Sequence, residues 1–478
     1  MITLRPDQVA FKEALRAAMR RHKSVLGMAP TGFGKTRVAC SIVADAIAKG
    51  FRVIFAVHRD ELLRQTSKAL GDMSIIHDFI VPGAPYSERA QVHVASIMTL
   101  AKRLDALTRP DLLIIDEAHL SRAKTWYDVI SHYRERGTYV LGLSGSPQRL
   151  DGKGLGDLFK DLILGPSTAE LMAAGRLCQY RYFRGEAPDL SAFGRSSEFS
   201  QSALDTAVDG KLVGNIADRW LELAGDRRTV CFTVSHEHSR SIIEEFQARG
   251  VRAASISSKT RKGYDREEII RAFADGEIKV LCNVELITTG FDLAAQVGRD
   301  VTVNGIIMAR PTWSLALYLQ MVGRGLRAAA DPCMILDHAG NSLRHGYPDD
   351  PRDWPLLYGG GRPPALPPPP LDCDRCLCQV RQPAPSHCPH CGAEWESSGE
   401  SKARAVEYDE ARRLVEVTAA AREAERAAAK AAQAKARREE GRCVTLEDWE
   451  RLGESRGYEH ARRWAMHRFS FRQGKIKA

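Results

Sequence analysis

Two glycines, a lysine and two threonines crowd into one short stretch, Ala29-Pro30-Thr31-Gly32-Phe33-Gly34-Lys35-Thr36, between an apolar run at 25–28 and a helix-like segment at 37–48. Glycines let backbone N–H groups close around phosphate oxygens, and the first turn of a helix adds its positive dipole end. In that arrangement Thr31, Gly32 and Gly34 line the cradle, Lys35 reaches the β- and γ-phosphates, and Thr36 ligates Mg²⁺. Ala29 stands where the usual pattern begins with glycine. A second cluster, Asp116-Glu117-Ala118-His119, follows the apolar run 112–115. A carboxylate at a strand end can hold Mg²⁺ while its neighbour orients an attacking water, roles that fall to Asp116 and Glu117. Together the two clusters predict hydrolysis of ATP with Mg²⁺.

Two further groups carry chemistry. Arg324 and Arg327 lie three apart, a spacing expected on one face of a helix. Charge builds on the γ-phosphoryl group during transfer, and guanidinium groups supplied from a second domain stabilise it only when the cleft between domains closes. Cys373-x-x-Cys376 and Cys388-x-x-Cys391 form two pairs separated by eleven residues, a spacing suited to a tetrahedral Zn²⁺ site. Cys378, His387 and His390 compete for any one of those positions. A disulfide or a cluster without metal is the other use of the same sulfurs.

Those groups need sheets to hold them. Short apolar runs at 25–28, 52–57, 92–96, 112–116 and 139–143 each precede a turn and a helix-like segment. A second series stands at 229–234, 253–257, 279–283, 305–308 and 333–337, with amphipathic helices at 239–250 and 266–275. Apolar runs alternating with helices imply parallel sheets covered on both faces. The expected class is α/β: a first domain over 1–165, a connector over 166–210 and a second domain over 211–345. Beyond it come a Pro/Gly-rich linker over 346–371, a small zinc ribbon over 372–396, a charged helix over 400–440 and a basic module over 441–478.

The 478 residues are 44% hydrophobic and 27% charged, with a net charge of +9, too long for one ordinary core. No apolar run approaches the roughly 18–20 residues needed to span a bilayer. The opening residues lack a secretory pattern, so a cytoplasmic, nucleoid-associated location is expected and no membrane partner. Residues 401–478 hold 19 Lys/Arg against 13 Asp/Glu, and the last 18 residues contain no acid. Such a tail suits a polyanion, or is simply solvated.

Several stretches resemble superfamily 2 helicases over residues 1–345. Leu4-Arg5-Pro6-Asp7-Gln8 is similar to the adenine-sensing motif of that superfamily, which makes Gln8 the base reader. His58-Arg59-Asp60-Glu61-Leu62 and Ala95-Ser96-Ile97-Met98-Thr99-Leu100 resemble its first-domain nucleic-acid motifs, implying contacts from Arg59 and Ser96. Ser144-Gly145-Ser146-Pro147 takes the place of the coupling motif, with glycine for the usual alanine. Thr288-Thr289-Gly290-Phe291-Asp292 resembles the motif that meets nucleic acid through Thr288 and ribose through Gly290 and Asp292. Gln320-Met321-Val322-Gly323-Arg324-Gly325-Leu326-Arg327 resembles the arginine-finger motif. The resemblance assigns coupling to His119, Ser144, Ser146 and Gln320, and implies two tandem RecA-like P-loop domains.

The motif wording is closer to DNA-acting members than to RNA-remodelling ones. A core of this kind followed by a four-cysteine module resembles the RadD group of DNA-repair helicases and the type III restriction subunits. The implied activity is ATP-driven movement on, or separation of, single-stranded or branched DNA in repair, recombination or phage replication. A single-strand-binding protein or a nuclease is the implied protein partner. The rival readings are a double-strand translocase subunit of a restriction or defence assembly, and an ATP-gated nucleic-acid-binding scaffold.

Overall fold

The computed structural model describes residues 4–121, 124–147, 154–185, 214–257, 264–284, 293, 297–299, 301–352, 354, 370–373, 375–376, 378–395, 414–456 and 461–472. The chain divides into two compact units, one of residues 1–356 with 412–416, the other of residues 357–411 with 417–478.

In the first unit β1 (Ser24–Met28), β2 (Val53–Val57), β3 (Asp78–Ile80), β4 (Val92–Ser96), β5 (Leu112–Ile115), β6 (Tyr139–Ser144) and β7 (Asp161–Leu164) form one parallel sheet, ordered β3-β4-β2-β5-β6-β1-β7. Strands β1, β2 and β5 are buried at every position. Their unbroken apolar runs follow from helices covering both faces. The same unit holds a second sheet of β8 (Tyr180–Arg184), β9 (Thr229–Phe232), β10 (Ala253–Ser257), β11 (Val280–Val284), β12 (Gly305–Met308) and β13 (Cys333–Asp337). Its order, β10-β11-β9-β12-β13-β8, repeats that of the first sheet from β3 to β1. The seventh positions differ. The first sheet adds β7 parallel to β1; the second, after the hairpin β14 (Leu371–Asp372) and β15 (Gln379–Val380), adds β16 (Val415–Glu416) antiparallel to β8.

One sequence expectation is corrected here, and another falls partly outside the described residues. The stretch 166–210, expected as a connector, contains β8, an inner strand of the second sheet. Its sequence Tyr-Arg-Tyr-Phe-Arg hides the strand because Arg184 is buried, donating to the Tyr347 hydroxyl at 3.1 Å. Of the charged helix expected over 400–440, residues 400–413 lie outside the described residues, and a helix runs over Ala419–Arg442. Before it, Leu414 packs into the second core and β16 is tied down by a bidentate pair from Arg181 to Glu416. Thr418 then caps the helix, its hydroxyl accepting from the Ala421 N–H at 3.2 Å.

The second sheet is locked to its last helix through a buried carboxylate. Asp337 accepts from the Tyr182 hydroxyl at 2.8 Å and from the N–H groups of Asn341 and Ser342 at 3.0 and 2.9 Å. Three donors offset the cost of removing that charge from water.

Close packing also sets the end of β6, which carries Ser144. A Cβ on Gly142 would lie 2.6 Å from the Phe159 ring and 3.0 Å from the Ala118 methyl, both fully buried. Gly142→Ala is therefore expected to lower stability by about 1–3 kcal/mol, read as a shift in the urea midpoint. An unchanged midpoint would show that this packing can relax freely.

Candidate nucleotide and nucleic-acid site

The phosphate loop leaves β1 and enters the helix Lys35–Ile47. Gly32 and Gly34 sit at φ +88° and +93°, the left-handed region where a side chain is strained. Gly34 is also crowded: a Cβ there would meet the Gln8 amide nitrogen at 2.6 Å. Ala29 takes no positive φ. Its methyl fills the space beside Gly165, whose own Cβ would lie 3.0 Å away, so alanine at 29 is matched by glycine at 165.

Gln8 is buried, and its amide donates to the Phe33 carbonyl at 2.8 Å. The same carbonyl accepts from Arg5 at 2.9 Å. Arg5 is thus a residue that holds the loop and that sequence reasoning passed over, although it lies inside the stretch that pointed to Gln8.

Lys35 is half-buried and donates to the carbonyls of Ala29 and Pro30 at 3.0 and 3.3 Å. Burial lowers its pKa, the nearby Glu117 and Asp116 raise it, and Arg324 lowers it again. Burial pushes the Asp116 carboxyl up to about 7, Glu117 adding to the push and Lys35 opposing it. Asp116 lies just beyond β5 and accepts from the Glu117 N–H at 3.0 Å. Glu117 takes φ +54°, a conformation that costs a non-glycine residue energy and is held by the surrounding turn. Thr36 follows Lys35 in the first turn of the helix, so Thr36 and Asp116 are the residues that could hold Mg²⁺.

His119 joins the two sheets. Its Nδ1 lies 3.2 Å from the Ser144 hydroxyl and 3.4 Å from Glu117, and its Nε2 lies 3.4 Å from the Gln320 amide nitrogen. The Ser144 hydroxyl donates to the Ser146 carbonyl. Nδ1 is therefore the ring's donor, and Nε2 accepts from Gln320. Burial drives the His119 pKa down to about 4, with Lys35 adding to the effect, so the ring is neutral near pH 7.

Gln320 lies in the helix Leu315–Gly323, which runs against the phosphate loop. A Cβ on Gly323 would come within 2.8 Å of the Thr31 Cβ. A cavity of about 140 Å³ remains between them, lined by Thr31, Gly145, Gln320 and Gly323. Gly145 is not forced to be glycine: an added Cβ would meet Thr31 and Lys35 at 3.6 and 3.8 Å, ordinary contact distances.

The arginine pair needs a correction. The helix ends at Gly323, Arg324 is its cap, and Arg327 forms an isolated antiparallel bridge with Leu177. The two therefore do not share a helical face. Just past the helix end Gly325 makes a close approach, since a Cβ there would lie 2.4 Å from the Cys333 sulfur. Leu177 in turn sits where a Cβ on Gly32 would be 2.8 Å from its methyl, a contact with no signal in the sequence.

Arg59 and Ser96 cap the helices after β2 and β4, neighbouring strands in which Val57 pairs with Ser96. They share the C-terminal end of two neighbouring inner strands of the first sheet. Thr288, Gly290 and Asp292 lie outside the described residues.

In the second unit the sulfurs of Cys373, Cys376, Cys388 and Cys391 lie within 4.8 Å of one another, Cys373–Cys391 and Cys376–Cys388 both at 3.6 Å. Sulfurs about 2.3 Å from a tetrahedral Zn²⁺ stand about 3.8 Å apart, so this set could hold the ion. Cys378 is turned to the Cys376 carbonyl, and His387 to Ser386 and Glu394.

A phosphate loop on one parallel sheet, met by an arginine-bearing segment from a second sheet of repeated order, defines a tandem RecA-like architecture. Comparison with known proteins gives the family. Residues 1–149 match the family described as type III restriction enzyme, res subunit, and residues 213–329 match the helicase conserved C-terminal domain. The chain belongs to the superfamily 2 helicases, in the part related to type III restriction subunits. It is 32% identical over 368 residues to the 51.5 kDa protein of a Lactococcus phage (isolate 7-9), covering 77% of this chain and 74% of that one. It is 27% identical over 336 residues to IRC3 of Saccharomyces cerevisiae, provisionally named an ATP-dependent helicase; 65% of this chain is covered and 48% of IRC3, so the chain spans about half of that protein. The solved structure of the ATP-dependent type ISP restriction-modification enzyme LlaBIII bound to DNA superposes with a TM-score of 0.53 at 17% identity, over 70% of this chain and 28% of that one. No described helix is long and apolar enough to cross a membrane.

The neutral His119 makes a pH prediction. A folded pKa near 4 lies below the unfolded value of 6.5, so its contribution is complete above pH 6.5 and lost as pH falls through 4. Between pH 7 and pH 4 the wild type is expected to lose on the order of a few kcal/mol more unfolding free energy than His119→Gln. Equal losses in paired urea titrations would rule out His119 as the group responsible.

Proposed function

We propose that this chain is a DNA-stimulated ATPase that moves along or separates DNA strands, with ATP bound between the two parallel sheets. The observation that carries this reading is the meeting of the phosphate loop with the second sheet's helix: Gly323 against Thr31, and Gln320 bonded to His119. Thr31, Gly32, Gly34 and Lys35 surround the phosphates, Thr36 and Asp116 hold Mg²⁺, and Gln8, Gly290 and Asp292 bind base and ribose. Glu117 orients the attacking water and takes its proton. Arg324 and Arg327 neutralise charge on the γ-phosphoryl group.

Loss of that group after hydrolysis removes the anion shared by Lys35 and Arg324. The change passes to Ser144 and Ser146 through His119, and to Gln320 on the other sheet. Arg59, Ser96 and Thr288 would hold the DNA backbone while the sheets shift. DNA is preferred to RNA on the motif wording and on the DNA-bound state of the similar restriction-modification enzyme. The restriction-subunit match of residues 1–149 favours, as a second reading, a translocase that moves on duplex DNA without separating strands. Repair, recombination or phage replication in the cytoplasm, at the nucleoid, is the setting we infer, with a single-strand-binding protein or a nuclease as partner.

The four-cysteine module is read as a zinc ribbon that staples its own short hairpin. The Cys388 N–H donates to the Ala393 carbonyl at 2.7 Å, and Gly392 at φ +73° turns the chain tightly beneath Cys391. Zn²⁺ would supply cross-links that a core of so few residues lacks.

Two experiments test these readings. Lys35→Ala and Glu117→Gln are each expected to reduce DNA-stimulated phosphate release at least about 100-fold with unchanged far-ultraviolet dichroism; wild-type turnover in either would sink the ATPase assignment. Elemental analysis of purified protein should find one zinc per chain, lost in Cys388→Ser together with Cys391→Ser. Equal zinc content in the variant would remove the ribbon.

A further inference from the structure

The charges of the second unit are sorted by its fold. In the helix Ala419–Arg442 the only acids after residue 425 are Glu439 and Glu440, and both are turned onto arginines of the following helices. Arg456 bridges Glu439 and Glu440 at 3.1 and 2.8 Å, and Arg468 reaches Glu440 at 2.9 Å. Arg472 donates to the Glu440 and Gly441 carbonyls at 3.1 and 3.3 Å, at the end of the same helix. Arg468 and Arg472, which in the sequence look like part of a basic tail, are therefore spent on holding helices together.

What that helix exposes after residue 425 is uniformly positive. Lys430, Lys435, Arg437, Arg438 and Arg442 are exposed, and none has an ion pair among the described residues. At 100° per residue Lys435, Arg438 and Arg442 fall in one stripe, on the outward half of a helix whose inward half carries Glu439, Glu440 and Cys443. The five cations span about 18 Å at 1.5 Å per residue. Alanines separate them (Ala431, Ala434), so no bulky side chain keeps the helix away from a surface it meets. The third helix of the unit, Ala461–Arg472, adds exposed Arg462 and Arg463 and contains no acid.

We propose that this cationic face is a second nucleic-acid site, separate from the nucleotide cleft, that grips the sugar–phosphate backbone of duplex DNA without reading sequence. A duplex carries about one negative charge per 1.7 Å of axis, so a stripe of cations about 10 Å long from Lys435 to Arg442, flanked by Lys430 and Arg437, is complementary to it. A lipid surface is the poorer match. A helix lying in a membrane interface needs large apolar residues on one side, and residues 419–442 contain none. Such a grip keeps the chain on DNA while the motor opens and closes.

The test uses the full chain without nucleotide and a fluorescent duplex of arbitrary sequence. The triple variant Lys435→Gln, Arg438→Gln, Arg442→Gln is expected to bind about tenfold more weakly or worse at moderate salt. The slope of log affinity against log salt should shrink by about 2 to 3, the share of three phosphate contacts. ATP hydrolysis without DNA and the melting temperature should stay unchanged. Lys435→Arg with Arg438→Lys and Arg442→Lys should bind as wild type. If the triple variant melts lower, Arg462→Gln with Arg463→Gln, on another helix, carries the same test. Unchanged affinity and slope, a loss of affinity with no change of slope, or loss of binding to phosphatidylserine vesicles alone would each overturn the proposal. Repeating the titration in the Lys35→Ala background separates its failure from failure of the ATPase reading.

Discussion

An ammonium group taken out of water must be surrounded by acceptors, and Lys35 imposes that requirement on the whole nucleotide site. Two loop carbonyls receive it, Asp116 and Glu117 stand within its field, and Arg324 opposes it from the other sheet. Two cations drawn toward one cleft repel unless an anion lies between them. A triphosphate is such an anion. On the proposed reading, closure of the two sheets is held by the nucleotide itself and relaxes when the γ-phosphoryl group leaves. Asp116, driven up to about 7, belongs to the same balance: burial and Glu117 disfavour its charge, and Lys35 restores part of it.

Contacts between the sheets and within each of them depend on small residues at close approaches. Gly323 touches Thr31, Gly325 lets the chain turn past Cys333, and Gly165 makes room for Ala29. Each is a place where one methyl group would separate elements that now meet. The neutral ring of His119 adds direction to these contacts, because its two nitrogens play opposite hydrogen-bonding roles toward the two sheets. An imidazolium could only donate, and the bond from Gln320 would be lost.

In the second unit the same economy applies to charge. Arg456 and Arg468 neutralise the helix acids on the inside, so the outside becomes more basic than the composition suggests. Net charge counts both faces together. Only folding separates them.

Much of the candidate nucleotide site was legible in the residues, because phosphate chemistry needs glycines, a lysine and carboxylates at fixed distances from strand ends. The strands at 24–28, 112–115 and 139–144 were visible for a related reason: buried on both faces, they leave unbroken apolar runs. β8 and β16 were not, since Arg184 and Glu416 carry charges whose partners lie far away in sequence. The spacing of Arg324 and Arg327 suggested a shared helical face, but the helix ends at Gly323 and Arg327 pairs with Leu177 instead. Such decisions rest on contacts between distant residues, as with Leu177 against Gly32 and Gln320 on His119. The sequence by itself determined the chemistry available and the local elements that carry it. Only the tertiary structure decided which groups meet, because steric room and charge pairing exist only once distant segments are brought together.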